Sequence, residues 1–312
     1  VSVMGRSHAQ QTGAHCQDAM ALRTAGSLLV AIVCDGAGSA AWSYVGARMV
    51  ADRLTAALSE IPAHYRPLRA HQEAVQAFVT DRLGAERRRL IEAVARFNGQ
   101  RNVEAKDDCA GGFAEFAARL FKGLWSLEET KADGDTNNEA VHSVEIAERL
   151  RCTLVGALVD DSGGFLFHIG DGLASACALR LGNAGACVAE GTEIASPPEN
   201  GQYANETFFV TDPDWRDHLR FTLIGPECDA VFLMTDGAAA FAGGPDQRSL
   251  FVPFANQLLP HLTTRPDPDL SDFLAQVLPP EKVHRVTADD ATLVFAHKRR
   301  GDPDVSPEAA SA

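Results

Sequence analysis

Three apolar runs in this chain break off at the same two residues, aspartate then glycine. They are LLVAIVC before Asp35-Gly36, FLFHIG before Asp171-Gly172, and AVFLMT before Asp236-Gly237. A fourth acidic pair, Asp289-Asp290, stands directly before the apolar run ATLVFA. Short runs rich in Val, Leu, Ile and Phe predict buried strands. A strand that ends in Asp-Gly can deliver its carboxylate into a cleft, and the glycine lets the backbone turn sharply or approach an ion closely. Taken singly, Asp-Gly is also a common turn pair. Taken together, carboxylates beside a core are costly when unpaired, and a shared hard cation such as Mg²⁺ or Mn²⁺ removes that cost. Asp18, in CQDAM, offers one more carboxylate just before an apolar stretch.

The rest of the chain sets the frame for these ends. GSLLVAIVC (26–34) reads as a buried strand, and Val45, Met49, Leu54, Leu58 and Ile61 recur near helical spacing, which predicts a helix over about 41–61. Ser39 and Ser43 are candidate caps, and Pro62 ends the helix. Residues 67–98 predict one long helix or two. The run Glu86-Arg87-Arg88-Arg89 inside it is either a solvated face or a docking patch. Residues 111–125 look helical, 131–138 read as a loop, and 141–150 as a short helix or strand. From 152 to 180 the pattern becomes strand, turn, strand, turn, strand, and the Asp-Ser-Gly-Gly turn predicts an antiparallel hairpin. ETFFVTD, RFTLIG, AVFLMT and ATLVFAHK predict four more strands, with helical stretches at about 238–242, 249–262 and 269–278. Strand runs with segregated helices predict an α+β fold with antiparallel sheets. The polar tail over 299–312 predicts disorder, and residues 1–298 read as one domain.

Composition excludes several functions. A net charge of −14 argues against general nucleic-acid binding, but a metal site can still admit a phosphorylated substrate. The seven cysteines are odd in number and contain no CxxC, which points to a reducing, cytoplasmic setting rather than a disulfide framework or a zinc cluster. No run of about 18 apolar residues predicts a membrane span. No phosphate-loop, nucleophile-elbow or HExxH motif occurs, and the histidines show no metal-ligand spacing. His168, between Phe167 and Ile169, is either a core histidine or part of a polar cleft lining. A carboxylate-only site without a nucleophile points to metal-activated water, with paired cations clamping a phosphoryl group.

Read in order, GRSHAQQTGAHCQDAM, VAIVCDGAGSAAWSYVGARMVAD, CTLVGALV, FHIGDG, FLMTDGAAAF and DDATLVF resemble the motifs of the metal-dependent protein phosphatases of type 2C, in particular the bacterial serine/threonine phosphatases. GQYANETFFV (201–210) resembles a segment of one bacterial branch. The resemblance implies a sandwich of two antiparallel β-sheets flanked by helices, with the metals in a cleft at one end. By position, Asp35 would be the carboxylate shared by two Mn²⁺ or Mg²⁺ ions and the Gly36 carbonyl a ligand of one. Asp236 and Asp289 would complete one ion's shell, Asp171 would serve a third, weaker ion, and Asp18 would reach a metal directly or through water. The implied reaction is hydrolysis of phosphoserine or phosphothreonine by a metal-bridged hydroxide. The implied partners are a phosphoprotein substrate and an opposing serine/threonine kinase, with no nucleic acid and no membrane.

This sequence also departs from the family pattern. Gln17 stands where many members have glutamate, and Ala37 stands where some place a histidine. The phosphate-binding arginine falls near Gly13, which leaves Arg6, His8 and His15 as substitutes or as ordinary surface and capping residues. GDSR becomes Gly-Asp followed by Gly172-Leu173, and the 62–150 segment reads as a helical insertion. These departures keep a second expectation open: a phosphatase-like module that binds phosphoproteins or acts as a scaffold with little turnover.

Overall fold

The computed structural model describes residues 1–9, 15–101, 136–183, 185–201, 206–265 and 267–298. Two five-stranded antiparallel sheets form the centre. Along the chain the strands are β1 (Ser2–Val3), β2 (Ala19–Ala25), β3 (Leu28–Cys34), β4 (Leu154–Asp160), β5 (Gly163–Ile169), β6 (Leu173–Cys177), β7 (Leu179–Gly182), β8 (Gly185–Val188), β9 (Ile194–Ser196), β10 (Arg220–Ile224), β11 (Ala230–Met234) and β12 (Ala291–His297). One sheet runs β10-β5-β4-β3-β2, the other β1-β12-β11-β6-β9, and β7-β8 is a separate hairpin. This is the predicted α+β sandwich. The turn after Asp160 closes the β4-β5 hairpin, with Asp160 opposite Gly163.

Nine helices are described: α1 (Arg6–Ala9), α2 (Ser43–Ser59), α3 (Gln72–Arg101), α4 (Thr136–Arg149), α5 (Trp215–His218), α6 (Asp236–Ala242), α7 (Val252–Leu262), α8 (Asp267–Val277) and α9 (Pro280–Val283). Val45, Met49, Leu54 and Leu58 of α2 are buried with Val30, Ile32, Phe165 and Phe167, so the helical layer covers the outer face of the first sheet. Ala239 and Leu259 cover Phe232 and Leu293 of the second sheet. Between the sheets lie mostly small or branched side chains, among them Ala31, Val33, Ala157, Ala174, Ala176 and Leu233. Each fully buried phenylalanine contributes on the order of 2–3 kcal/mol. No described helix is long and apolar enough to cross a membrane.

Several local expectations are corrected. The N-cap of α2 is Trp42, with no side-chain cap. Ser43 is buried against Gly36 with its hydroxyl unpartnered, and the Trp42 amide is taken by Arg149 O at 2.8 Å. ETFFVTD is not a strand. Its Phe209 amide donates to Asp212 Oδ2 at 3.0 Å and its Val210 amide to Cys152 O at 2.9 Å, while the Arg87 guanidinium takes the carbonyls of Val210, Thr211 and Asp212. The charge run is therefore part of the structure, for Arg87 props this turn and buried Glu86 pairs with Arg53 at 3.3 Å and Arg89 at 2.6 Å. Residues 67–98 form one helix after a short 3₁₀ turn at Leu68–His71, and Thr136–Asn138, read as loop, open α4. The expected helix at 111–125, the rest of the 131–138 loop and the 299–312 tail lie outside the described residues.

Candidate metal centre

Antiparallel pairing brings the ends of β3 and β5 and the start of β2 to one pole of the first sheet. The end of β11 and the starts of β6 and β12 gather at one pole of the second sheet. The two poles are joined directly: Thr235, which follows β11, donates through Oγ1 to Asp18 Oδ2 at 2.9 Å, and accepts from the Thr292 amide at 3.0 Å. Asp35 is clamped by its neighbour strand. Its amide donates to Thr153 Oγ1 at 3.1 Å, and its carbonyl accepts from the Thr153 amide at 2.8 Å.

The motif glycines serve close approach rather than an unusual turn, since Gly36, Gly172 and Gly237 all lack a positive φ. A Cβ on Gly36 would stand 2.8 Å from Gln17 O, and one on Gly172 2.6 Å from Met234 O. One on Gly237 would overlap the Asp290 carbonyl.

The two members of the Asp289-Asp290 pair have different fates. Asp290 is buried: its Oδ1 accepts from the Gly5 amide (2.6 Å), its Oδ2 from the Gln17 amide (2.5 Å), and His8 Nδ1 lies 3.1 Å from that same Oδ2. Asp289 is exposed at the rim, where its carboxylate receives the Asp290 amide at 2.9 Å.

Burial raises the pKa of Asp35 well above the usual carboxylate range, and the charges of Asp18, Asp236 and Asp171 raise it further. Asp18 is raised to about 7, by burial first, then by the Asp290 charge against its hydrogen bonds. Asp171 rises to about 6 through burial and the Asp236 charge, and Asp289, exposed as a residue but with its carboxyl partly desolvated beside Asp236, also shifts upward. Asp18, Asp35, Asp171, Asp236 and Asp289 thus form one electrostatically linked set. Among the described residues, no three His, Cys, Asp or Glu side chains are drawn into a finished metal cage. The set nonetheless fits hard cations. Its donors are all oxygens, and Asp18 Oδ1 and Asp171 Oδ1 are buried without a hydrogen-bond partner. An orphaned buried carboxylate oxygen costs free energy that a cation would recover.

The candidates for an anion-binding group separate. His8 is held by Asp290, His15 stacks on Tyr44 with centroids 4.8 Å apart, and Arg6 is exposed on α1. Gly13 lies outside the described residues. His168 is a core histidine. It is fully buried, its Nδ1 lies 3.2 Å from Ser196 Oγ, and burial lowers its pKa to about 3. The supporting threonines Thr153, Thr235 and Thr292 were not singled out from sequence. For Thr235 and Thr292 the signal lies in MTDG and DDAT, as hydroxyl residues flanking the acidic ends, whereas Thr153, in RCTLVG, carries none.

The comparisons agree with this geometry. A family model described as protein phosphatase 2C matches residues 4–276. Serine/threonine-protein phosphatase 3 of Escherichia coli (strain K12) is 31% identical over 157 residues, 49% of this chain and 58% of that protein. The match thus spans a little over half the length of that curated relative. The solved serine/threonine phosphatase Stp1 from Staphylococcus aureus superposes with a TM-score of 0.52 at 14% identity, covering 96% of this chain and 93% of that one. The S. agalactiae serine/threonine phosphatase gives 0.52 at 10% identity, covering 96% and 98%. At such identities the superpositions speak for the fold alone. A family match over most of the chain, on a sandwich that gathers its acidic strand ends at one pole, makes this protein a member of the protein phosphatase 2C family.

Proposed function

We propose that this chain is a Mn²⁺- or Mg²⁺-dependent protein phosphatase that hydrolyses phosphoserine and phosphothreonine. The observation that carries this reading is the linked set of five carboxylates, two of them with an orphaned buried oxygen. Asp35 would be the carboxylate shared by the cations, with the Gly36 carbonyl as a further ligand. Asp236 and Asp289 would complete one ion's shell, Asp171 would serve a third and weaker ion, and Asp18 would support the set directly or through water. When bound, the ions supply an activated water at neutral pH and neutralise phosphoryl charge.

The chain's own residues do the rest. Thr153 fixes the backbone of Asp35 from both sides, so its carboxylate needs little reorganisation. Thr235 holds Asp18 and ties it to β12. His8, steadied by Asp290 next to Asp289, is the best placed of Arg6, His8 and His15 to meet the phosphoryl group. Residues 1–298 act as one catalytic domain, in which the helices within 62–150 are an insertion. The partner class is a phosphoprotein, opposed by a serine/threonine kinase.

Hydrolysis of a phosphothreonine peptide should require Mn²⁺, stop with EDTA, and be lost in Asp35→Asn. Turnover by that variant at the wild-type rate would sink the reading. Tight phosphopeptide binding without any turnover by the wild-type chain would favour the scaffold alternative.

A further inference from the structure

Outside the carboxylates, one group of charged side chains is aimed at the backbone of the centre. Asp171 follows Gly170, and the Gly170 carbonyl receives two donors: the Glu199 amide at 2.9 Å and the Arg220 guanidinium at 3.5 Å. The two donor residues also form an ion pair, with Arg220 Nε 3.0 Å from Glu199 Oε2, close in distance but not aligned as a hydrogen bond. Arg220 reaches the Pro197 carbonyl at 2.8 Å as well. The second Glu199 oxygen lies 3.2 Å from His218 Nδ1. The His218 ring is stacked on Phe208, with centroids 3.5 Å apart and planes within 12°. Phe208 in turn presses its carbonyl on Gly170, where a Cβ would stand 3.0 Å away.

Gly170 has φ of +104°, a conformation that suits glycine. The turn therefore has no side chain at this position to pack it in place. Its direction depends on the groups that bond its carbonyl, and both donors identified here belong to one ion-paired unit. Glu199 and Arg220 are each 30% exposed, so the pair is only partly screened by solvent.

We propose that Glu199 and Arg220, steadied by His218, are positioning residues that set how Asp171 is presented, and so how tightly the third ion is held. The inference rests on the metal-dependent phosphatase reading above. It distinguishes the weak site from the core pair, because Thr153 holds Asp35 and Thr235 holds Asp18 without help from this unit.

The test is Mn²⁺ titration of the whole chain by calorimetry, with thermal melts alongside. Wild-type protein should show two tight steps and one weak step. Glu199→Gln and Arg220→Ala should weaken the last step by about tenfold or more, the range for removing a group that orients a ligand. The tight steps and the melting temperature should hold. Arg220→Lys keeps the charge but cannot span carbonyl and carboxylate together, and should behave like Arg220→Ala. Asp171→Asn should remove the weak step. Should Arg220→Ala fail to fold, Glu199→Gln and Arg220→Lys decide. A weak step unchanged in these variants overturns the inference, as does a loss shared equally by all three steps. Wild-type protein that binds two ions and no third overturns it while leaving the phosphatase reading intact. Wild-type protein that takes up no Mn²⁺ overturns both.

Discussion

The two poles of the sandwich both bury aspartates, and they treat them in opposite ways. At the far pole, Asp160 closes the β4-β5 turn and is saturated. It accepts from the Leu68 amide at 3.0 Å, the Ser162 amide at 2.9 Å and the Ser162 hydroxyl at 2.5 Å. At the acidic pole, Asp18 and Asp171 each keep an oxygen that is buried and unpartnered, and their pKa values climb. Asp290 shows that position alone does not decide, for it sits at the acidic pole yet is satisfied like Asp160. Burial by itself does not mark a ligand. A buried carboxylate met by N–H groups braces the fold, and one met by other carboxylates is suited to a cation.

The contrast can be broken by changing one carboxylate of each kind. The largest expected effect is on catalysis. Asp35→Asn should lower turnover of a phosphothreonine peptide by at least about 10²-fold, the scale for deleting one preorganised charge, without lowering the melting temperature of metal-free protein. Asp290→Ala should do the reverse at the level of folding and cost about 3 kcal/mol in urea unfolding, because the amides of Gly5 and Gln17 lose a charged acceptor. Asp160→Ala should cost a similar or slightly smaller amount, about 2–3 kcal/mol, with metal uptake unchanged.

A smaller effect of opposite sign separates the classes most sharply. Asp18→Asn should stabilise metal-free protein at pH 8 by at least about 1 kcal/mol, since the upward shift of Asp18 exceeds one pKa unit and each unit is worth about 1.4 kcal/mol. An equal destabilisation in both classes would erase the distinction.

The smallest signal is in protons. Asp18 and Asp171 have folded pKa values of about 7 and 6, above the ordinary 3.8. Their contribution to metal-free stability is therefore complete below pH 4 and lost as pH rises through 6 to 7. His168, lowered to about 3, acts in the other direction: its contribution is complete above pH 6.5 and lost as pH falls toward 3. Cations need the ionised carboxylates, so Mn²⁺ binding near pH 6 should release protons. Calorimetry in two buffers of different ionisation enthalpy measures that release. Identical heats in both buffers would contradict it.

Much of this arrangement was legible in the chain, for a physical reason. Asp35, Asp171 and Asp236 end apolar runs, and a strand's length and direction follow from its pattern. The two apolar runs and the Asp-Ser-Gly-Gly turn between them likewise indicate the β4-β5 hairpin. What the pattern did not disclose depends on long-range partners. Asp289 and Asp290 look equivalent as neighbours, yet Gly5, His8 and Gln17, far away in sequence, claim one of them. Phe208 and Phe209 suggested a strand, but the backbone around them is spent on Arg87, Asp212 and Cys152. The Glu199–Arg220 pair joins residues 21 apart through a fold that had to exist first.

The end of α4 leaves a last consequence. Trp42 donates its amide to the carbonyl of Arg149, the last residue of α4, at 2.8 Å, whereas Ala37 donates to Arg151 O at 3.0 Å within the Gly36–Cys152 bridge, so the loop leaving Asp35-Gly36 borrows one acceptor from the helical layer and one from the sheet side. An amide exchanges its hydrogen when the group that shields it swings away. The Trp42 amide is therefore a gauge, close in sequence to the centre but reading the helix, while the Ala37 amide reads the bridge. Comparing the deuterium uptake of the Trp42 amide with that of the Ala37 and Asp35 amides, which are shielded by Arg151 and Thr153 instead, would clock the opening of the helical layer separately from that of the strands.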